Sequence, residues 1–177
     1  MAVMDTSGFI LFGILFSFFH EIGHIVASYA LGYKIKNIRL GFINADIFLS
    51  FANLTDKLII YLSGPLVNLI LALAFKLTYI FLNVQLCNTL SFQNLCIGIL
   101  NFLPISSFDG GQILYLLLSQ KFDDLKVKRI SCIISLVFTV PIFLVGFWII
   151  LISKYNFSLF LIACYIISYL VFKEDIF

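Results

Sequence analysis

Residues 8–31 read GFILFGILFSFFHEIGHIVASYAL. The run is long enough to cross a bilayer, which takes about 20 apolar residues in a helix. It holds an acidic residue, Glu21, between His20 and His24, the chain's 2 histidines. On a helix, residues i and i+4 share a face, so the two imidazoles can reach one metal ion with Glu21 beside them. A carboxylate placed in the bilayer costs about 2.5–3.5 kcal/mol on insertion scales. A cluster of this kind is therefore expected to do chemistry; the plainer reading is polar glue between helices.

The rest of the chain fits a membrane setting. Of 177 residues, 62% are hydrophobic and 11% charged, and mean hydropathy is +1.12. A soluble domain has about 45–50% apolar and about 25% charged residues, and a globule this small cannot hide the excess. Soluble enzymes, nucleic-acid-binding proteins and disordered chains are excluded. An all-α polytopic membrane protein is expected.

Further apolar runs cover 58–82, 93–118, 131–152 and 155–172, giving about five transmembrane helices. Pro104 and Asp109-Gly110-Gly111 interrupt the third run, and Pro141 predicts a kink in the fourth. The leading MAVMDTS has no Lys or Arg, so residues 8–31 read as a span and not as a cleavable signal. Between the first two runs, 33–55 partly alternates apolar and polar residues, which predicts a small membrane-associated β-hairpin with a turn at Asn44-Ala45-Asp46. Five spans put Lys34, Lys36, Arg39, Lys57, Lys121, Lys126, Lys128, Arg129 and Lys173 on one side, against Lys154 on the other. By the positive-inside rule the N-terminus is outside and the C-terminus cytosolic. The 4 cysteines show no CxxC pairing; they read as small hydrophobes, with Cys87–Cys96 the one pair open to a disulfide.

A catalytic zinc takes three protein ligands plus water. With no histidine left, the third is a carboxylate or a cysteine. Asp109 is the only acidic residue inside another apolar run. Asp109 with Gln112 also resembles a capping box opening the helix GGQILYLLLS. Depth speaks for the ligand. His24 precedes the cytosolic end of its span at Leu31 by seven residues, and Asp109 precedes Gln120 by eleven. At 1.5 Å per residue these are depths of roughly 10 and 16 Å on one side of the membrane.

Three stretches together carry a resemblance: HEIGH at 20–24, GPLVN at 64–68 and NFLPISSFDGG at 101–111. They are similar to the motifs of the site-2 proteases, intramembrane zinc metalloproteases of peptidase family M50, in the same order and spacing over about residues 8–120. Within that family the chain resembles the bacterial stage IV sporulation branch, which usually has prolines where Ser106 and Ser107 stand here. Neither the CBS domain of that branch nor a PDZ domain is expected. The resemblance implies a catalytic core at 1–120 (three helices), followed at 121–177 by a cytosolic loop and two more spans. It implies one Zn²⁺ held by His20, His24 and Asp109, with Glu21 as general base. It makes Asn101 the donor to the tetrahedral oxyanion and Asn68 a substrate contact; interhelical hydrogen bonding is the plainer role for both. The 33–55 segment would hold an extended substrate by β-augmentation.

The implied activity is regulated intramembrane proteolysis in a bacterial cell membrane, with the site nearer the cytosolic face. Its partners would be a membrane-associated substrate such as a pro-sigma factor, membrane regulatory proteins and the bilayer; no nucleic acid is expected. An anti-sigma factor is the alternative substrate. A zinc-binding or zinc-transport protein is the alternative of another class, disfavoured because transporters tend to have internal repeats and this chain has none. The mixed charges at Lys121–Arg129 read as a solvated loop, with anionic lipid contact a minor alternative.

Overall fold

The computed structural model describes residues 6–33, 38–40, 45–47, 53–153, 163–164 and 166–167. Five helices dominate: α1 (Thr6–Ala30), α2 (Leu54–Leu82), α3 (Gln85–Phe102), α4 (Asp109–Leu118) and α5 (Asp124–Ser153). Leu11–Ala30, Leu54–Leu82 and Asp124–Ile149 are each long and apolar enough to cross a membrane. The chain is a membrane-embedded multi-pass protein. The fifth expected run, 155–172, lies almost entirely outside the described residues.

Two short strands, β1 (Ile38–Leu40) and β2 (Ala45–Ile47), pair antiparallel with Arg39 opposite Asp46. Ala45 and Asp46 thus belong to a strand and not to a turn. The remainder of the 33–55 hairpin expectation lies outside the described residues, apart from Tyr33 and the start of α2.

The chain divides into two compact units, Met1–Phe102 and Leu103–Phe177. The third apolar run is not one helix. α3 begins at Gln85, eight residues before that run, and stops at Phe102. Pro104 has no N–H to continue it. Tight turns then close from Ile105 N–H to Leu103 O and from Phe108 N–H to Ile105 O, both 2.8 Å.

In the first unit, α2 packs against both α1 and α3. Glycines permit the closest approaches. A Cβ on Gly23 of α1 would lie 2.9 Å from Ser63 O and from Val67 Cγ2 of α2. Gly32, at φ +82, ends α1 in the left-handed region that glycine adopts without strain. α2 ends on Asn83, φ 52, whose N–H returns to Tyr79 O. Cys87 and Cys96 both lie on α3, nine residues and so roughly 13 Å apart along its axis. That separation rules out the disulfide.

In the second unit, Ile105 and Phe108 form the apolar core with Ile166, flanked by Leu103 and Ile142. α5 runs continuously through Pro141. Its Ser131, Ser135 and Thr139 are all buried.

Candidate metal centre and its supports

α1 presents His20 and His24 one turn apart, 5% and 4% exposed. Their Nε2 atoms are 3.2 Å from each other. What decides the chemistry is the other nitrogen of each ring. His24 Nδ1 lies 2.7 Å from the backbone oxygen of Ile60. A carbonyl only accepts, so Nδ1 donates and carries the hydrogen. His20 Nδ1 lies 2.7 Å from Asn68 Oδ1, while Asn68 Nδ2 donates to Phe16 O. The oxygen end of that amide therefore faces His20, and its Nδ1 also carries the hydrogen. Neutral imidazole has one N–H. In the neutral form each Nε2 is therefore a lone-pair donor, and the two share one face of α1.

Two lone pairs at 3.2 Å repel, and a cation held between them relieves that repulsion. Tetrahedral zinc with Zn–N bonds of about 2.0–2.1 Å would set two nitrogens roughly 3.3–3.4 Å apart. Gly64 of α2 keeps the space open. A Cβ there would lie 2.4 Å from His24 Nε2 and 2.8 Å from His20 Nε2. The residues present fit a zinc ion.

Glu21 follows His20 on α1 and is half-buried. Asn68 makes interhelical hydrogen bonds, the plainer of its two expected roles. Its amide is fully buried, with Nδ2 donating to Phe16 O at 3.3 Å and to Asn94 Oδ1 at 3.2 Å, and Oδ1 accepting from His20. Both amide hydrogens are committed between helices, and Oδ1 orients the His20 ring. Asn101 is half-buried and uses one amide hydrogen on Ile97 O, 3.1 Å away, on its own helix.

Asp109 belongs to the second unit, as the first residue of α4. The N-cap is Phe108, with no side-chain cap bond, and Gln112 Nε2 donates to Ser106 O at 3.1 Å. The capping-box reading of Asp109 with Gln112 is therefore corrected. The turn before Asp109 is tightly held. A Cβ on Gly111 would come within 2.0 Å of Ile105 O, so glycine is required there. Ser135 Oγ receives the N–H of Ser106 at 2.9 Å and donates its own hydrogen to Ser131 O at 2.7 Å. The 2.8 Å contact between the Ser106 and Ser135 hydroxyls then has Ser106 as donor.

Sequence reasoning missed Gly64 as the keeper of the space, the Ile60 carbonyl, Asn94 and Ser135. A backbone carbonyl leaves no trace in sequence. Asn94 and Ser135 carry a weak one, as polar residues inside apolar runs.

The Peptidase family M50 model matches residues 83–142. A zinc metalloprotease of Methanocaldococcus jannaschii is 32% identical over 140 residues, 74% of this chain and 41% of that protein. Stage IV sporulation protein FB of Bacillus subtilis is 26% identical over 156 residues, 82% of this chain and 51% of that protein. The chain thus spans about half, or less, of the length of these curated relatives. A solved site-2 protease from Methanocaldococcus jannaschii superposes with a TM-score of 0.70 at 28% identity, over 91% of this chain and 74% of that one.

Proposed function

The chain belongs to peptidase family M50, the family of the site-2 proteases, and from that footing we propose that it is a zinc-dependent intramembrane endopeptidase. The observation that carries this reading is the pair of Nε2 lone pairs on one face of α1, each fixed by a hydrogen bond at its own Nδ1. His20, His24 and Asp109 each offer one ligand atom of a kind that zinc accepts, and on this reading they hold one ion per chain. Bound there, zinc would supply Lewis acidity, lowering the pKa of water and polarising a peptide carbonyl.

The chain's own residues do the rest. The Glu21 carboxylate takes a proton from the attacking water and returns it to the leaving amide nitrogen. The second amide hydrogen of Asn101 serves the oxyanion. The scissile segment must be extended, because a helix shields its carbonyls with its own hydrogen bonds; the edge of the 33–55 segment is the place to hold it. The substrate on this reading is a membrane-associated protein cut from the cytosolic side, with the N-terminus of the enzyme outside. Likeness to a stage IV sporulation protein supports a pro-sigma factor as that substrate in a bacterial membrane.

The test is co-expression of the full chain with a membrane-anchored pro-sigma-type reporter. Wild type should cut it and Glu21→Gln should not, while both retain zinc. Equal cutting by the two would overturn the assignment of Glu21.

A further inference from the structure

Asn94 lies one helix further from the histidines than Asn68, and it is as completely buried. A buried amide is costly unless both its ends are hydrogen-bonded. Asn94 Nδ2 donates to Leu90 O, 2.9 Å away on its own helix. That carbonyl only accepts, so it fixes which end of the Asn94 amide turns outward, and Oδ1 faces α2. Asn68 Nδ2 donates to this Oδ1 at 3.2 Å and to Phe16 O at 3.3 Å. With Nδ2 so placed, Asn68 meets His20 Nδ1 through its oxygen, at 2.7 Å. The polarity therefore runs one way, from the Leu90 carbonyl through two amides to an imidazole.

We propose that Asn94 is a positioning residue that selects, through Asn68, the Nδ1–H tautomer of His20 and so keeps its Nε2 ready to bind a metal. Its consequence rests on the zinc reading above; its test does not. Without the Asn94 acceptor, Asn68 Nδ2 keeps only Phe16 O, and the amide gains freedom to turn. A turned amide offers N–H to His20 Nδ1 and drives the ring hydrogen onto Nε2, where it blocks ligation. His24 is outside this relay, because its tautomer comes from a backbone carbonyl, Ile60. It serves as a built-in control.

With only 2 histidines in the chain, ¹⁵N-histidine labelling gives two rings to follow. The measurement uses zinc-free full-length protein in micelles, at a pH well above the ordinary histidine value of about 6.5. In wild type both rings should carry hydrogen on Nδ1. Asn94→Leu should move His20 toward the Nε2–H form with His24 unchanged, and should weaken Zn²⁺ binding about 10–100-fold. Asn94→Asp keeps an acceptor toward Asn68 and should leave His20 as in wild type.

The proposal is overturned if His20 stays on Nδ1–H in Asn94→Leu, or if both rings change together, which a general loss of packing would produce. The wild-type and Asn94→Asp spectra stand even where Asn94→Leu does not fold, and an Nε2–H His20 in either overturns it. A wild type that binds no zinc would defeat the functional reading while leaving the tautomer result intact.

Discussion

Gly64 passes so close to His24 that a Cβ on it would lie 2.4 Å from the ring's Nε2. The ring can yield only by straining the 2.7 Å bond from its Nδ1 to Ile60 O. Gly64→Ala should therefore displace the imidazole and reduce zinc affinity by more than the roughly 10–100-fold typical of losing a ligand's supporting hydrogen bond. Competition with a chelator of known affinity measures this. Wild-type affinity in Gly64→Ala would mean that the ion does not use His24 Nε2.

Asn68→Leu keeps the volume of the side chain and removes its polarity. His20 Nδ1 and the acceptor Asn94 Oδ1 both lose their partner in buried surroundings. A drop in zinc affinity of about 10–100-fold is expected, with a loss of stability of about 1–3 kcal/mol for each orphaned group. Calorimetric zinc titration and thermal unfolding in detergent separate the two effects.

Asp109→Ala should weaken zinc binding while the α4 helix persists, since no side-chain cap opens that helix. Zinc titration with circular dichroism on the same sample checks both halves. Unchanged affinity would remove Asp109 from the ligand set.

Ser135→Ala removes one oxygen that serves both the N–H and the hydroxyl of Ser106. About 1–3 kcal/mol of stability should go with it, and the turn that delivers Asp109 should loosen. Faster amide hydrogen exchange at 105–108, with little change in α1, is the signature to measure.

Tyr33 donates its hydroxyl to the Asp56 carboxylate, and that bond raises the phenol above its ordinary range. The protonated phenol is the form the folded chain favours. The contact should be complete below the ordinary tyrosine value of about 10 and be lost as pH climbs through the raised one. Ultraviolet difference titration of wild type against Tyr33→Phe should show one late-ionising tyrosine.

Much of this was legible from residues. HEIGH stands out because ionisable groups are costly in a bilayer, and helical spacing already places both imidazoles on one face. Pro104 marks where the third apolar run breaks, since its missing N–H acts locally. The start of α3 at Gln85 was not legible. Gln85, Asn88, Ser91 and Asn94 lower the apolar signal, and only packing against α2 and bonds such as Ser91 Oγ to Ala72 O, 2.7 Å, make that stretch a helix. The sequence left two roles open for Asn68 for a related reason. A motif marks an amide as special without saying which neighbours use up its hydrogens. The turns around Ile105 are recorded by no periodicity.

On the proposed reading, His20 and His24 are both zinc ligands through Nε2. The most direct measurement is the metal-to-chain ratio of purified, full-length protein by elemental analysis, in wild type and His24→Ala. One zinc per chain in wild type, falling well below that in His24→Ala, is the predicted result. A wild type isolated in zinc-containing buffer with no bound zinc would contradict it.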